Sequence, residues 1–337
     1  TLKVSVGNGN TYNLNGVLSG SLNSADTAYF RVGGYTKSTD GLINNEFLNT
    51  EADHLKEESV FSQFQFELTD DTSINLRGRY TTSEAGFAYY QGVEQDNYQD
   101  FDVEVSQNVL NLDKRDVFEL SARLVQSYDL GTFEFITAYN QSDNDHFYDG
   151  DYSADPTFID EPDFFRAPFA TQGEFDVEST TVETRFTSQN DQQFRWAVSA
   201  FFQQRDRASE VNFYDDFFGD IPLKQEDFLP SDIYLTIADK NSSTAWGVAG
   251  QVNYDITSEL ELTGALRYDE DKRESFDPNF KDVTFAEDTF SQAQPKVTLA
   301  YQMQPSLLIY TGYSKGFRSG GFNEPAPGIN RTFDKEV

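Results

Sequence analysis

At 337 residues the chain could hold two or three soluble domains, yet only 37% of it is hydrophobic and 57 acidic residues face 25 basic ones, a formal charge of −32. That balance excludes nucleic acid as a partner, because no basic stripe is available to neutralise phosphates. Cysteine is absent, which removes disulfides and thiol chemistry, and no apolar run approaches the ~18 residues of a membrane helix.

The opening residues carry neither a charged n-region nor an apolar h-region, so the chain reads as mature or truncated. From there, alternating runs are joined in pairs by short connections at 21–25, 69–73, 129–131, 188–192, 255–258 and 302–305. Long acidic, aromatic-rich segments separate the pairs, at 37–58, 84–115, 143–176, 206–241, 271–289 and from 318 onward. The first strand is expected at 12–22. Next, Ala28, Phe30, Val32 and Gly34 oppose Tyr29, Arg31 and Gly33, and Ile74, Leu76, Gly78 and Tyr80 oppose Asn75, Arg77 and Arg79. Phe118, Leu120, Ala122 and Leu124 follow, then Phe133, Phe135, Thr137 and Tyr139, then Phe194, Trp196, Val198, Ala200 and Phe202. The pattern is cleanest in Trp246, Val248, Gly250, Val252 and Tyr254, and in Leu260, Leu262, Gly264, Leu266 and Tyr268. Leu307, Leu308, Ile309 and Tyr310 are consecutive and leave the faces of 305–316 unassigned. About twelve strands of roughly 9–13 residues are expected, the length of a tilted bilayer crossing. Helical periodicity is nowhere sustained.

Alternation alone also fits a soluble antiparallel sheet. Two features favour a membrane barrel. Arg31, Arg77, Arg123, Arg185, Arg195 and Arg267 recur on the polar face with Glu119, Glu134, Glu183 and Glu261, which suits a wet lumen and would be costly in a dry core. Apolar runs end in tyrosines such as Tyr80, Tyr139, Tyr254 and Tyr268, as at a lipid–water boundary. Short turns at one end and long loops at the other complete the pattern of an all-β, antiparallel transmembrane β-barrel of the bacterial outer membrane.

From Tyr310 to Asn323 the chain reads Tyr-Thr-Gly-Tyr-Ser-Lys-Gly-Phe-Arg-Ser-Gly-Gly-Phe-Asn. This resembles the mid-barrel motif of TonB-dependent outer-membrane receptors, carried here by Gly316, Phe317, Arg318, Gly320, Gly321, Phe322 and Asn323. Weaker support comes from Asp40-Gly41, Asn44-Asn45, Ala265-Leu266-Arg267-Tyr268 and the segment 333–337. The resemblance implies a 22-stranded barrel of which residues 1–337 supply about twelve strands, in a Gram-negative outer membrane. It also implies an N-terminal plug preceded by a short TonB box; neither is visible before Thr1, and the remaining strands are expected beyond this chain. The three motif glycines are expected to supply positive φ and close backbone approach, and Arg318 a charge at the rim.

Catalysis finds no constellation. The two histidines, His54 and His146, fall in expected loops, and carboxylate pairs such as Asp160–Glu161 and Asp215–Asp216 lack the fixed geometry that acid–base chemistry needs. No enzymatic activity, cofactor or resident metal is expected. Asp143, Asp145, Asp149, Asp151 and Asp155 have a superficially calcium-like spacing, but no Glu closes the loop at its twelfth position. Ligand capture is the positive expectation: Tyr89, Tyr90, Phe147, Tyr148, Phe164, Phe165, Tyr214, Phe217 and Phe218 crowd the long segments, and such rings stack on sugars, aryl groups or macrocycles. Each has a plainer alternative, packing the loops together over the mouth. Acidic loops favour cationic, neutral or sugar-like ligands unless Arg77, Arg79 or Arg123 form a basic lumenal site.

By the resemblance the chain is part of a monomeric receptor that imports a siderophore, vitamin or oligosaccharide. TonB would drive it through the plug, and lipid and lipopolysaccharide would surround it. A closed twelve-stranded passive porin and a soluble glycan-binding β-sandwich are the competing expectations.

Overall fold

The computed structural model describes residues 1–87, 89–91, 104–154, 169–216, 223–323 and 330–337. Its strands are β1 (Leu2–Gly7), β2 (Thr11–Ser21), β3 (Ala28–Thr39), β4 (Asn44–Asn45), β5 (Thr50–Glu51), β6 (Leu55–Thr69), β7 (Thr72–Ala85), β8 (Leu112–Tyr128), β9 (Gly131–Asp149), β10 (Phe169–Ser188), β11 (Phe194–Asp215), β12 (Ile233–Asp255), β13 (Leu260–Phe276), β14 (Ala286–Gln304), β15 (Leu307–Ser314), β16 (Gly321–Phe322) and β17 (Thr332–Phe333). One sheet of 13 strands runs β1-β2-β3-β6-β7-β8-β9-β10-β11-β12-β13-β14-β15, and every adjacent pair is antiparallel. The hairpins β4–β5 and β16–β17 stand apart from it.

All six short connections are turns at one end of this sheet, the tightest being residues 70–71, 129–130 and 305–306. The expected start at 12–22 overlooks β1, whose six residues are too few to establish a period against the Asn8-Gly9-Asn10 turn that follows. With β1 counted there are 13 strands, and β1 and β15 are free edges. The described sheet is therefore open, and the closed twelve-stranded porin does not describe it.

Much of the long segments is strand. Residues 143–149 and 169–176 belong to β9 and β10, 206–215 and 233–241 to β11 and β12, and 271–276 and 286–289 to β13 and β14. Strand β12 reaches 23 residues, about 75 Å of chain, roughly twice what a tilted crossing needs. Beyond the hydrocarbon both faces of a ribbon are wet, so the apolar–polar contrast disappears from the sequence while backbone pairing continues. Pairs such as Asp145↔Lys114 and Asp206↔Ser242 hold the ladder there without any apolar side chain.

Register assigns the faces. Directly opposed residues share a side, so Leu18–Val32, Phe30–Phe64, Leu76–Ala122, Leu124–Phe135, Phe186–Val198, Phe202–Trp246, Gly250–Leu266 and Leu262–Leu299 mark one unbroken outer stripe. Tyr301↔Ile309 and Val297↔Tyr313 extend it onto β15, placing Ile309 outside and Leu308 and Tyr310 inside. These side chains are uncovered: Val198 is 49% exposed and Leu266 57%. No second sheet packs on them among the described residues, which removes the β-sandwich. A stripe this long has hydrocarbon as its solvent.

The inner face is charged. Every arginine on the thirteen strands lies there: Arg31, Arg77, Arg79, Arg115, Arg123, Arg185, Arg195, Arg205, Arg207, Arg267 and Arg273. Several pair across or along the wall, as Arg123–Glu134 at 2.7 Å, Arg185–Glu183 at 2.6 Å, and Arg195 with Asp255 and Glu261 at 2.5 Å each. Most of these pairs are half-exposed, so each contributes about 0–1 kcal/mol and serves mainly to neutralise the wall. Acid dominates the outer face beyond the lipid stripe, at Asp143, Asp145, Glu174, Asp176, Glu178 and Glu210.

Candidate functional site

At the long-loop end, a buried polar knot anchors the mouth. Asn45, Gln107, Asn108, Asn111, Asp149 and Asp216 are all buried, although every one is polar. They are tolerated there because they satisfy one another. The Asn45 side-chain amide donates to the Gln107 carbonyl at 3.0 Å, and Asn111 donates to the Gln107 side chain at 2.6 Å. Asn108 donates its side-chain amide to Asp216 at 2.6 Å and its backbone N–H to Asp149 at 3.2 Å. The knot ties residues 104–111 to the ends of β9 and β11, segments 38 to 108 residues apart in sequence. Burial raises the Asp149 carboxyl well above the ordinary carboxylate range, with the adjoining Asp151 charge adding to it.

The knot also aims aromatic rings. Asp149 accepts the backbone N–H of Tyr152 at 2.8 Å, holding that residue at φ 57°, a left-handed conformation unusual for an aromatic. Gln107 donates to the Tyr90 carbonyl at 2.7 Å. The Tyr152 ring then lies edge-on to Tyr90 at 5.6 Å and stacked on Tyr148 at 6.2 Å. Phe87 continues the ladder at 5.3 Å from Tyr148 and 5.0 Å from His146, and Phe175 stacks on His146 at 5.1 Å. His146 and Tyr148 on β9 and Phe175 on β10 share the inner face, so this ladder lines the mouth. Burial among these rings lowers the His146 pKa, against the opposing pull of Asp113 and Asp145. Tyr90 remains 66% exposed at the open end.

One residue along β9 the environment inverts. Phe147 points to the outer side, is 1% exposed, and packs with Val109, Ala170 and Tyr214 beneath Leu223, Phe228 and Ile233. Tyr214 is buried in the same cluster, its hydroxyl donating to Gln172 at 2.8 Å. Phe147 and Tyr214, expected among the ligand-facing rings, are instead the apolar core that stiffens the ribbon. Tyr148 and Tyr90 join the ladder, and Tyr89 stands 42% exposed beside it. Phe164, Phe165, Phe217 and Phe218 lie outside the described residues. His146 and Phe175 were missed as partners of the ladder; the i, i+2 spacing of His146 to Tyr148, and the position of Phe175 opposite Asn144 on the neighbouring strand, place them there once the ribbon is recognised as paired.

Residues 85–335 match the profile of a family described as "TonB dependent receptor-like, beta-barrel". The chain belongs to that family. Its sheet superposes on the ferric yersiniabactin uptake receptor FyuA from Yersinia pestis with a TM-score of 0.78 at 12% identity, covering 99% of this chain and 49% of that one. The siderophore receptor PiuA from Acinetobacter baumannii gives 0.67 at 14% identity, with 94% and 49% covered. The ferripyoverdine receptor of the outer membrane of Pseudomonas aeruginosa gives 0.65 at 14%, with 94% and 42% covered. The chain thus spans about half the length of the structures it matches. No curated protein sequence matches it.

In this receptor barrel, the motif that carried the resemblance folds back against the wall. Gly321 and Phe322 form β16, paired with β17, and Arg318 and Glu336 bond through their backbones and through side chains at 3.6 Å, so the exposed Arg318 is not left uncompensated. None of Gly316, Gly320 and Gly321 has a positive φ, contrary to expectation. Close approach is the operative constraint at two of them. A Cβ on Gly320 would lie 2.5 Å from the Phe290 ring, and one on Gly321 2.7 Å from that of Phe333, whereas Gly316 has open space. Arg331 secures the hairpin through Ser275 at 2.9 Å and the Thr284 carbonyl at 3.2 Å. Of the acidic series expected in a loop, Asp143, Asp145 and Asp149 project from one side of β9, Asp151 follows its end and Asp155 lies outside the described residues; among the described residues no three acidic, cysteine or histidine side chains gather as a metal site.

Proposed function

We propose that the complete receptor sits in the Gram-negative outer membrane, captures a scarce ligand at the aromatic-lined inner mouth, and imports it with energy delivered by TonB. The observation that carries this reading is the division of one sheet into an uncovered apolar outer stripe and a charged inner wall crowned by the Tyr90–Tyr152–Tyr148 ladder. Within the classes expected from sequence, iron chelates are favoured over vitamins and oligosaccharides, because three of the structural neighbours are by name receptors for such chelates. The barrel supplies wall, rim and ligand contacts and performs no bond chemistry. Lipid and lipopolysaccharide would contact the outer face, TonB would act through a plug, and the receptor would work as a monomer.

The test is uptake. The complete receptor is expressed in an outer-membrane host lacking its own receptors, with and without TonB, and accumulation of labelled iron chelates, cobalamin and oligosaccharides is compared. Saturable uptake that disappears without TonB is expected. Accumulation that is indifferent to TonB, or no greater than in the empty host for every ligand, would refute the proposal.

A further inference from the structure

The inner wall below the aromatic ladder holds a cavity of about 800 Å³ between β11, β12, β13 and the β16–β17 hairpin. Arg205 and Arg207 project into it from alternate positions of β11, about 7 Å apart along the strand. Both are exposed, and neither has an acidic partner within 4.0 Å among the described residues. The acids of the cavity are already engaged. Asp271 accepts from Arg273 and from Ser243, each at 2.7 Å, Asp239 accepts from Ser275 at 2.9 Å, and Glu274 pairs with Lys272 at 3.0 Å. Arg205 and Arg207 are thus left without an ion-pair partner among the described residues, while the one cavity carboxylate not paired with a cation, Asp239, is held by the neutral side chains of Ser275 and Asn241.

Of the sequence candidates for a basic lumenal site, Arg79 has Glu119 at 3.9 Å and Arg123 has Glu134 at 2.7 Å; Arg77 donates to Asn75 at 2.9 Å and has no acidic partner within 4.0 Å among the described residues, but it lies level with Ser121 and Ala138, toward the short-turn end and away from the ladder. Arg205 and Arg207 are placed closer to the aromatics. Phe175, the last ring of the ladder, is directly opposed by Ser209, and Arg207 follows two residues along the same inner face. Phe322 and Phe333 line the far side of the cavity.

We propose that this receptor takes an anionic ligand in which carboxylate or phenolate oxygens adjoin a flat ring, the oxygens held by Arg205 and Arg207 and the ring received by the ladder. The inference deepens the receptor reading above and rests on it. It also reverses the preference that loop acidity suggested. Asp143, Asp145, Glu174, Asp176, Glu178 and Glu210 face outward, whereas the ligand meets the inner face, where Arg205 and Arg207 have no ion-pair partner among the described residues. Guanidinium groups fit such oxygens because their N–H donors form parallel, charge-assisted bonds.

The experiment uses the complete receptor in detergent and two probes. One is the iron(III) chelate of ethylenediamine-N,N′-bis(2-hydroxyphenylacetate), anionic with aryl rings; the other is a neutral, ring-free iron(III) trihydroxamate. The anionic chelate should bind at least tenfold more tightly, with a steeper loss on adding salt, and Arg205→Gln and Arg207→Gln should each weaken it by about tenfold while leaving the neutral chelate unchanged. Thermal unfolding of each variant reports whether the barrel is intact. The proposal is overturned if the anionic chelate shows no saturable binding, if the neutral one binds as well, or if the double variant keeps its preference. It is equally overturned if the double variant lowers the melting temperature with selectivity intact, since the arginines would then be seating the plug. TonB-dependent uptake of the neutral chelate alone would sink this inference and spare the receptor reading; absence of any TonB-dependent uptake would sink the reading itself.

Discussion

Replacing Leu266 with arginine would place a guanidinium on the outer stripe of β13, between Gly250 and Pro295 on the adjoining strands. That stripe runs from Leu260 to Tyr268, with Gly264 at its centre. Two residues along a strand tilted by ~45° correspond to about 5 Å of depth, so Leu266 lies well inside the ~12 Å half-height of the apolar band. An arginine at the midplane costs about 2–4 kcal/mol, and at this depth about 2–3 kcal/mol is expected. Thr263→Arg provides the matched comparison: one residue from the centre of the same strand, it enters the wet side near Glu261 and should change stability by no more than about 0.5 kcal/mol. Denaturant unfolding of the complete receptor folded in phospholipid vesicles measures both, provided the m-values agree. If Leu266→Arg were no more harmful than Thr263→Arg, the outer stripe would not be facing hydrocarbon.

Three further outcomes follow from the mouth. Phe147→Ala should destabilise the ribbon by about 3–5 kcal/mol, seen as faster proteolysis near residue 150, whereas Tyr148→Ala should leave proteolysis unchanged and weaken ligand binding; equal proteolysis would void the division between core and ladder. Because the folded-state pKa of Asp149 is raised, the folded form holds its proton more tightly than the unfolded chain. Stability therefore falls as pH rises from the ordinary carboxylate value through the raised one, and the Asn108 and Tyr152 amides should open more readily across that window, after correction for intrinsic hydrogen exchange. Asp149→Asn should abolish this dependence. Gly320→Ala should unseat the β16–β17 hairpin by collision with Phe290 and the Phe333 carbonyl, detectable as protease access to residues 316–323; Gly316→Ala should have no such effect.

The membrane-spanning half of each strand was legible because hydrocarbon on one side and water on the other impose a period of two, as in Leu260–Tyr268 against Glu261–Asp269. The extramembrane half was not, since Asn140–Asp145 carries polar side chains on both faces while its pairing with β8 and β10 continues. For the same reason aromatic abundance pointed to the right region and the wrong selection: Phe147 and Tyr148 are adjacent in sequence, and register alone decides which of them is buried. Arg205 and Arg207 went unremarked because the lack of a partner is a property of three dimensions.

The continuation of the ladder past the bilayer bears on how such a rim can diversify. Adding one residue immediately before Asp143 would turn Asp143, Asp145 and Phe147 toward the inner face and Asn144, His146 and Tyr148 toward the outer one, exchanging charge, core and contact surface in a single step. Heritable variation in the paired part of the rim is therefore confined to point substitutions, two-residue indels or compensating bulges, while free length change is left to the connections beyond Asp149 and Asp215.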